Sequence, residues 1–475
     1  MMNDIPEKRL APEVPPRGTK WELIQKVGLA LFGLGMLLLL AGLTGVGERQ
    51  PLLFFLLSVG GAVVGGLIYI LARAKESTPG IHNNGIFFSS VTARGAVGWI
   101  LGVMLTGFYI ILYWFPEIIH HWIRLTDPLS RWLRGEPADR WFLYGTFYTL
   151  AVLVMGIRMI AFKYRHNRYQ IIRTLSVMFF QLGFAYLIPA VLKALNQPEF
   201  YFSYFWPLKY DYLFPDNVRW LMSQPGGVGT FMVFWGLVMS FIATPILTYF
   251  FGKRWYCSWV CGCGGLAETL GDPFRQLSSK TLRAWKIERW LIYSVLVFIT
   301  VTTITLWINS ATGGAVLGSL SHTFARAYGF FIGAIFSGVI GVGFYPLMGS
   351  RVWCRFGCPQ AAILGILQKY FSRFRITTNG GQCISCGNCS TYCEMGIDVR
   401  WYAQRGQNII RASCVGCGVC AAVCPRGVLR LENGPVEGRY NVALEDMVMQ
   451  EMHKLEQTVA GTQKPADVSA QETRS

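Results

Sequence analysis

Eight cysteines near the C-terminal end of the sequence stand in two matching runs. Cys383, Cys386, Cys389 and Cys393 follow C-x2-C-x2-C-x3-C; Cys414, Cys417, Cys420 and Cys424 repeat the spacing, with Pro425 behind the last of them. Thiolates are soft ligands, and a short loop with small residues such as Gly387, Gly416 and Gly418 lets three sulfurs converge on one iron cube. The doubled run is the bacterial pattern for two [4Fe–4S] clusters, in which the fourth cysteine of each run crosses to the other cluster. The expected ligands are Cys383, Cys386, Cys389 and Cys424 for cluster 1, and Cys414, Cys417, Cys420 and Cys393 for cluster 2. A zinc site would take its ligands as two pairs, which a three-plus-one run does not offer. Glu394 stands where proline follows the second run, and is expected to loosen that loop without removing a ligand.

A second constellation lies upstream. Arg254–Gly262 and Arg351–Pro359 align with each other 97 residues apart and carry the C-x3-C pairs Cys257/Cys261 and Cys354/Cys358, with Cys263 as a spare beside the first. Spacing of i and i+4 predicts two thiols on one helical face. The four thiols would serve a further metal centre or cluster, or a redox-active dithiol; inert small residues in a tight interfacial turn would produce the same pattern. All 13 cysteines fall between Cys257 and Cys424, unlike the disulfide framework of a small secreted domain.

The elements that must position these residues are membrane helices. The 475 residues are 52% hydrophobic and 15% charged, against about 25% charge in ordinary soluble proteins. Runs near the length needed to cross a bilayer predict eight spans: Leu23–Leu43, Pro51–Leu71, Ala96–Phe115, Trp141–Phe162, Leu175–Leu192, Val228–Phe251, Trp290–Trp307 and Tyr328–Leu347. The fold class expected is mainly α: a polytopic helical bundle followed by a bacterial-type two-cluster [4Fe–4S] ferredoxin domain. The divisions expected are a cytoplasmic segment 1–22, a transmembrane domain 23–348, an amphipathic linker 349–382, the ferredoxin domain 383–432 and a polar, partly disordered tail 433–475. The first span reads as an uncleaved anchor behind a polar, proline-containing leader.

Lys and Arg concentrate on alternate loops, with Arg124, Arg131, Arg134 and Arg140 dissenting. This bias predicts both termini and every cysteine in the cytoplasm, at the inner face of a bacterial cytoplasmic membrane. It also accounts for much of the net charge of +17, so no nucleic-acid partner is needed.

From Val228 to Glu432 the sequence resembles the membrane polyferredoxins of the NosR/NapH/CcoG (FixG/RdxA) group, in which C-x3-C-P elements after membrane spans precede a doubled ferredoxin run. The resemblance implies cluster ligation by the eight cysteines from Cys383 to Cys424, and interfacial pairs at Cys257/Cys261 and Cys354/Cys358. Gly262 departs from the group's proline. The sequence shows neither the extracytoplasmic flavin domain of NosR nor the C-terminal immunoglobulin-like domain of CcoG. NosR and NapH support respiratory reductases, and CcoG assists copper assembly of cytochrome oxidase. By resemblance, the chain relays electrons between a quinol pool or redox partner and a respiratory reductase or cytochrome, as an electron-transfer component rather than a stand-alone enzyme. A quinone is then a possible further cofactor, and respiratory subunits are possible partners. The competing readings are an assembly factor that reduces or delivers copper through Cys257, Cys261, Cys354 and Cys358, and a structural iron–sulfur subunit of a larger complex.

Weaker candidates remain. His120, His121 and His322 lie towards the outer side, and no transmembrane histidine pair is available for haem. Arg158 lies inside span four but within snorkelling reach of the inner surface, and Lys193 reads as a membrane anchor. Ten aromatics between Phe200 and Trp220 predict a segment lying flat at the outer boundary, or a docking face for a partner or quinone. Glycines in spans one, two and eight suit close helix packing.

Overall fold

Long apolar runs must satisfy their backbone internally in lipid, so they form helices. The computed structural model describes residues 20–76, 81, 94–433 and 451–457. The N-terminal leader and most of the polar tail lie outside these. Among the described residues, eight helices are long and apolar enough to cross a membrane: Lys20–Thr44, Pro51–Glu76, Ala96–Trp114, Arg140–Lys163, Arg168–Ala194, Pro225–Phe251, Leu282–Ala311 and Leu320–Ile340. They are spans one to eight in chain order.

Several boundaries differ from those read from hydropathy. Spans five and seven begin about two turns earlier, because their polar first turns are helical as well. Asn167 caps span five by accepting from the Gln170 N–H at 3.2 Å, and Thr281 caps span seven by accepting from the Ala284 N–H at 3.2 Å. Span eight begins at Leu320 and ends at Ile340, where glycines at 341 and 343 bring the chain into a turn before the short helix Tyr345–Met348. Spans one and two meet backbone to backbone: a side chain at Gly65 would strike the Phe32 backbone at 2.4 Å. Lys193 is not free as an anchor, since it pairs with Glu136 at 2.9 Å.

The aromatic segment after span five does not lie flat. The Ser203 carbonyl accepts a bond from the Tyr256 hydroxyl at 2.6 Å, and Phe205, 1% exposed, packs edge-on against the Tyr256 ring. The Trp206 indole donates to Thr303, eight residues inside span seven, while Trp307 donates to the Leu213 carbonyl. The segment therefore descends into the bundle to the level of Cys257 and climbs back out. Irregular backbone at that depth is tolerated where protein buries it or where it lines a cavity. Both hold here.

Beyond span eight the chain forms helices Val352–Phe356 and Pro359–Tyr370, then β1, Phe374–Thr378. β1 pairs antiparallel with β2, Leu429–Asn433, in the register Ile376↔Leu431. The two strands bracket the doubled cysteine run, so the ferredoxin unit takes its first strand from the stretch read as linker. Its core, including Phe374, Ile376, Met395, Ile397 and Val428, is continuous with Phe205 and Tyr256 of the membrane domain.

Candidate redox centres

The ferredoxin loops make their tight turns with left-handed residues. Ser385 (φ 58°) and Gly387 (φ 79°) shape the first, Gly416 (φ 63°) and Gly418 (φ 75°) the second. Cys383, Cys386, Cys389 and Cys424 line one small cavity together with Gly387 and Pro425. Cys414, Cys417, Cys420 and Cys393 form the other group, in which Cys420 is surrounded by the remaining three. The two groups differ in position. Ile384, Ser385 and Cys386 are exposed, whereas Cys414 and Cys420 are buried.

Hydrogen bonds from the membrane domain hold the second loop. Tyr169 donates to the Gly416 carbonyl at 3.1 Å, Gln170 to Cys417 at 2.8 Å, Ser258 to Val415 at 2.7 Å and Gln368 to Cys414 at 2.8 Å. This packing explains a sequence difference between the loops. A side chain at Gly416 would meet the Arg254 Cβ at 2.7 Å and the Phe374 ring at 3.1 Å, while the equivalent position in the exposed loop accommodates Ser385.

The upstream pairs are brought together, but not on one helical face. Cys257 ends the short helix Arg254–Cys257 and Cys261 precedes Gly262–Glu268; Cys354 lies in Val352–Phe356 and Cys358 precedes Pro359–Tyr370. Each pair spans a turn between two helices, which places its second sulfur at a helix start. Cys358 Sγ accepts from the Ala361 N–H at 3.4 Å, and Cys261 receives the Gly264 and Cys263 N–H groups. Gly252 (φ 65°) and Gly349 (φ 96°) occupy equivalent positions in the two repeats. Each lets the chain leave its preceding helix in a backbone conformation that side chains resist.

Nor do these cysteines rest at an end of the bundle, as the interfacial reading expects. The helix Gly262–Glu268 folds back between spans four and five, with Leu266 and Ala267 packed beside Val152 and Val177. Tyr148, eight residues into span four from Arg140, donates to the Gly262 carbonyl at 2.6 Å. Gln181 donates to the Val260 carbonyl at 2.9 Å. The cysteine centre is thus sunk into the bundle.

Burial pushes the Cys257 thiol up to about 12 and raises Cys354 and Cys358. Cys261 is lowered, first because the Cys263 thiol donates to it, then because backbone N–H groups do. Burial likewise raises Cys389, Cys414 and Cys417 to about 11. Thiols buried in this way ionise readily only when a cation takes up the thiolate, which is what an iron centre does. The donor sets fit iron–sulfur clusters.

Between the two buried cysteine groups lies a network of charges. Arg351 donates to Glu268 at 2.7 Å, to Glu394 at 2.9 Å and to the Cys257 carbonyl at 3.2 Å, with Cys354 Sγ at 3.7 Å. Arg275 reaches Glu394 and Asp272, Lys163 pairs with Asp272, and Arg173 pairs with Glu268. Glu394 therefore does not loosen its loop. It is fully buried and ties that loop to the membrane domain. Glu268, Glu394 and Cys417 lie within 4.8 Å of one another, but arginines already engage both carboxylates, so no metal is needed there. Sequence reasoning did not assign Arg351 a role, although its place three residues before Cys354, equivalent to Arg254 before Cys257, was visible in the repeat.

A cavity of about 690 Å³ stands on the other side of the cysteine centre. Gly262, Cys263, Tyr148 and Gln181 form its floor. Tyr109, Tyr144 and Tyr186 line its walls, with Tyr204 from the descending segment. Arg134 and Asp139, from the connection into span four, and Glu199, just after span five, lie at the end away from this floor, and Lys209 comes from the descending segment. Gln181 and Tyr186 belong to a π-helical stretch of span five, Phe180–Leu187. In the connection between spans one and two, Glu48 bonds to His121 at 2.5 Å and to Arg124 at 3.3 Å; Arg158, near the other end of span four, lies close enough to Asp272 to help lower the pKa of its carboxyl.

Residues 232–281 and 328–378 match the 4Fe-4S binding domain family, and residues 375–425 match the 4Fe-4S dicluster domain family. The first match covers both C-x3-C repeats and the second covers the doubled run. The chain thus carries 4Fe–4S binding domains together with eight helices long and apolar enough to cross a membrane. A curated relative, YccM of Escherichia coli (strain K12), is named for a role in electron transport. It is 27% identical over 173 residues, which make up 34% of this chain and 46% of YccM. The match thus spans about half the length of that relative. No solved structure matches the chain.

Proposed function

We propose that the chain is an iron–sulfur electron carrier of a bacterial cytoplasmic membrane. It takes electrons from quinol and passes them to a respiratory redox partner that docks at the exposed end of the ferredoxin domain. Cys383, Cys386, Cys389 and Cys424 would hold cluster 1, and Cys414, Cys417, Cys420 and Cys393 cluster 2. Cys257, Cys261, Cys354 and Cys358 would hold a third centre. Bound iron–sulfur clusters would supply the one-electron chemistry. The chain's own residues bury the centres, donate N–H groups to sulfur and place fixed charge beside them.

The observation that carries this reading is the order of the sites. A sunken cysteine centre is linked through Arg351 and Glu394 to the buried loop of Cys417, and the exposed loop of Cys386 lies furthest out. This is an arrangement for moving charge from the membrane interior to a surface contact. The basic inner loops support a cytoplasmic ferredoxin domain.

Iron and sulfide counts on anaerobically purified protein, with EPR after addition of a menaquinol analogue, test it. About twelve irons per chain is the three-centre expectation, and about eight would leave the sunken cysteines without a cluster. Reduction by dithionite but not by quinol would remove quinol as the donor. The copper-handling reading predicts instead that replacing the four sunken cysteines by serine abolishes copper binding and leaves the cluster spectrum unchanged.

A further inference from the structure

The cavity above the sunken cysteines plays no part in the path through the clusters. We infer that it is the quinone site. This inference rests on the quinol reading above and gives it a place. The cavity is of a size that takes a drug-sized ligand. It lies within the span bundle, at the level where a membrane-dissolved molecule could reach it. Aromatic faces and phenol hydroxyls dominate its middle, which suits a planar ring bearing two oxygens. At its floor Tyr148 and Gln181 converge on Gly262, with Cys263 beside them.

Two observations narrow the ligand class. Among the described residues no histidine or methionine lines the cavity, and the one thiol there, Cys263, donates to Cys261. A cuprous ion would therefore find a poor donor set. The second is the departure at Gly262, whose equivalent in the other repeat is Pro359. A side-chain carbon at 262 would lie 3.0 Å from both the Tyr148 hydroxyl and Gln181 Oε1. Glycine leaves the floor open beside the Tyr148 hydroxyl and Gln181, where the ring of a proline would fill it.

A hydroquinone bound here would lose two electrons and the protons of its two O–H bonds, becoming quinone. The electrons would leave one at a time to the oxidised iron–sulfur centre held by the cysteines below the floor. The protons would leave towards Asp139 and Glu199 at the far end.

The test uses the full-length, cluster-loaded protein and a photoactivatable azidoquinone, with labelled peptides mapped by mass spectrometry. A Cβ at Gly145, which lines the cavity, would make only ordinary contact with Tyr186, at 3.6 Å, so Gly145→Leu can project a bulky side chain into the cavity and obstruct a ring bound there. The expected result is saturable labelling of peptides from spans four and five, suppressed by unlabelled quinone. Gly145→Leu should cut that labelling at least tenfold and slow cluster reduction by quinol similarly, while the dithionite-reduced EPR spectrum stays unchanged. Tyr148→Phe, which keeps the ring, should weaken labelling with the same spectral control. Labelling that maps elsewhere, with quinol reduction intact in Gly145→Leu, would overturn the cavity assignment and leave the quinol reading standing. Absence of both saturable labelling and quinol reduction in the wild-type protein, with its clusters intact, would overturn both.

Discussion

Arg351 touches both buried cysteine groups, directly at Cys354 and through Glu394 next to Cys393. Removing one member of a buried ion pair leaves the other uncompensated, a cost on the order of 3–5 kcal/mol. Glu394→Ala should therefore destabilise the protein by about that amount, read as an earlier thermal loss of cluster absorbance. Truncating an exposed arginine such as Arg430 should change it by less than about 0.5 kcal/mol. The two cluster loops give a second residue-level contrast. Gly416→Ser should displace the loop from Arg254 and Phe374 and lower the iron content. Ser385→Gly, at an exposed position already left-handed, should keep the iron and gain up to about 1 kcal/mol. Equal iron loss in both would contradict the packing account. The eight ligand candidates could be read from sequence because their spacing is local. Glu394 could not, since its two arginine partners, Arg275 and Arg351, come from distant parts of the chain.

At the scale of elements, the repeat was legible and its geometry was not. C-x3-C reads as one helical face, but the chain breaks between the cysteines, at Ser258–Cys261 in one copy and Gly357–Cys358 in the other. The glycine that precedes each copy matters more than the spacing suggests. Gly252→Ala and Gly349→Ala must each force a side chain into a positive-φ position, and at Gly252 the new carbon would also meet the Phe374 ring at 2.5 Å. Each should lower iron occupancy of the sunken centre, measured as irons per chain, while the separate EPR signal of the exposed cluster persists. The descending aromatic segment departs from the flat-lying alternative for a simple reason. Tyr, Trp and Phe suit an interface and suit burial against other rings, and composition alone cannot tell the two apart. Only its partners, Tyr256 and Thr303, distant in sequence, give its depth.

At the scale of the whole molecule, the polarity of the path predicts where a partner binds. Arg400, Arg405 and Arg426 are exposed on the ferredoxin domain, and Arg400 and Arg426 line the cavity of Cys386, so a partner with an acidic rim fits there. Replacing all three with glutamate should slow electron transfer to the natural acceptor and reverse its salt dependence, without altering quinol reduction of the clusters. An unchanged rate at low ionic strength would move the docking site elsewhere. Eight spans and an attached ferredoxin unit were legible from hydropathy and cysteine spacing. The contact surface between them was not, because Tyr169, Gln170, Ser258 and Gln368 look like ordinary polar residues until they meet the second cluster loop.

The folding of Gly262–Glu268 back between spans four and five has an electrical consequence. On the proposed reading, with quinol in the cavity and both termini in the cytoplasm, an electron leaving the floor of the cavity for the ferredoxin domain would cross only part of the membrane field, and protons released at the far end would cross another part in the opposite direction. Both displacements run against an inside-negative potential, so each turnover charges the membrane. A full elementary charge costs about 2.3 kcal/mol per 100 mV, and each partial crossing costs its fraction of that. In sealed vesicles the rate of electron delivery should therefore fall as the inside is made more negative, and a protonophore should restore it.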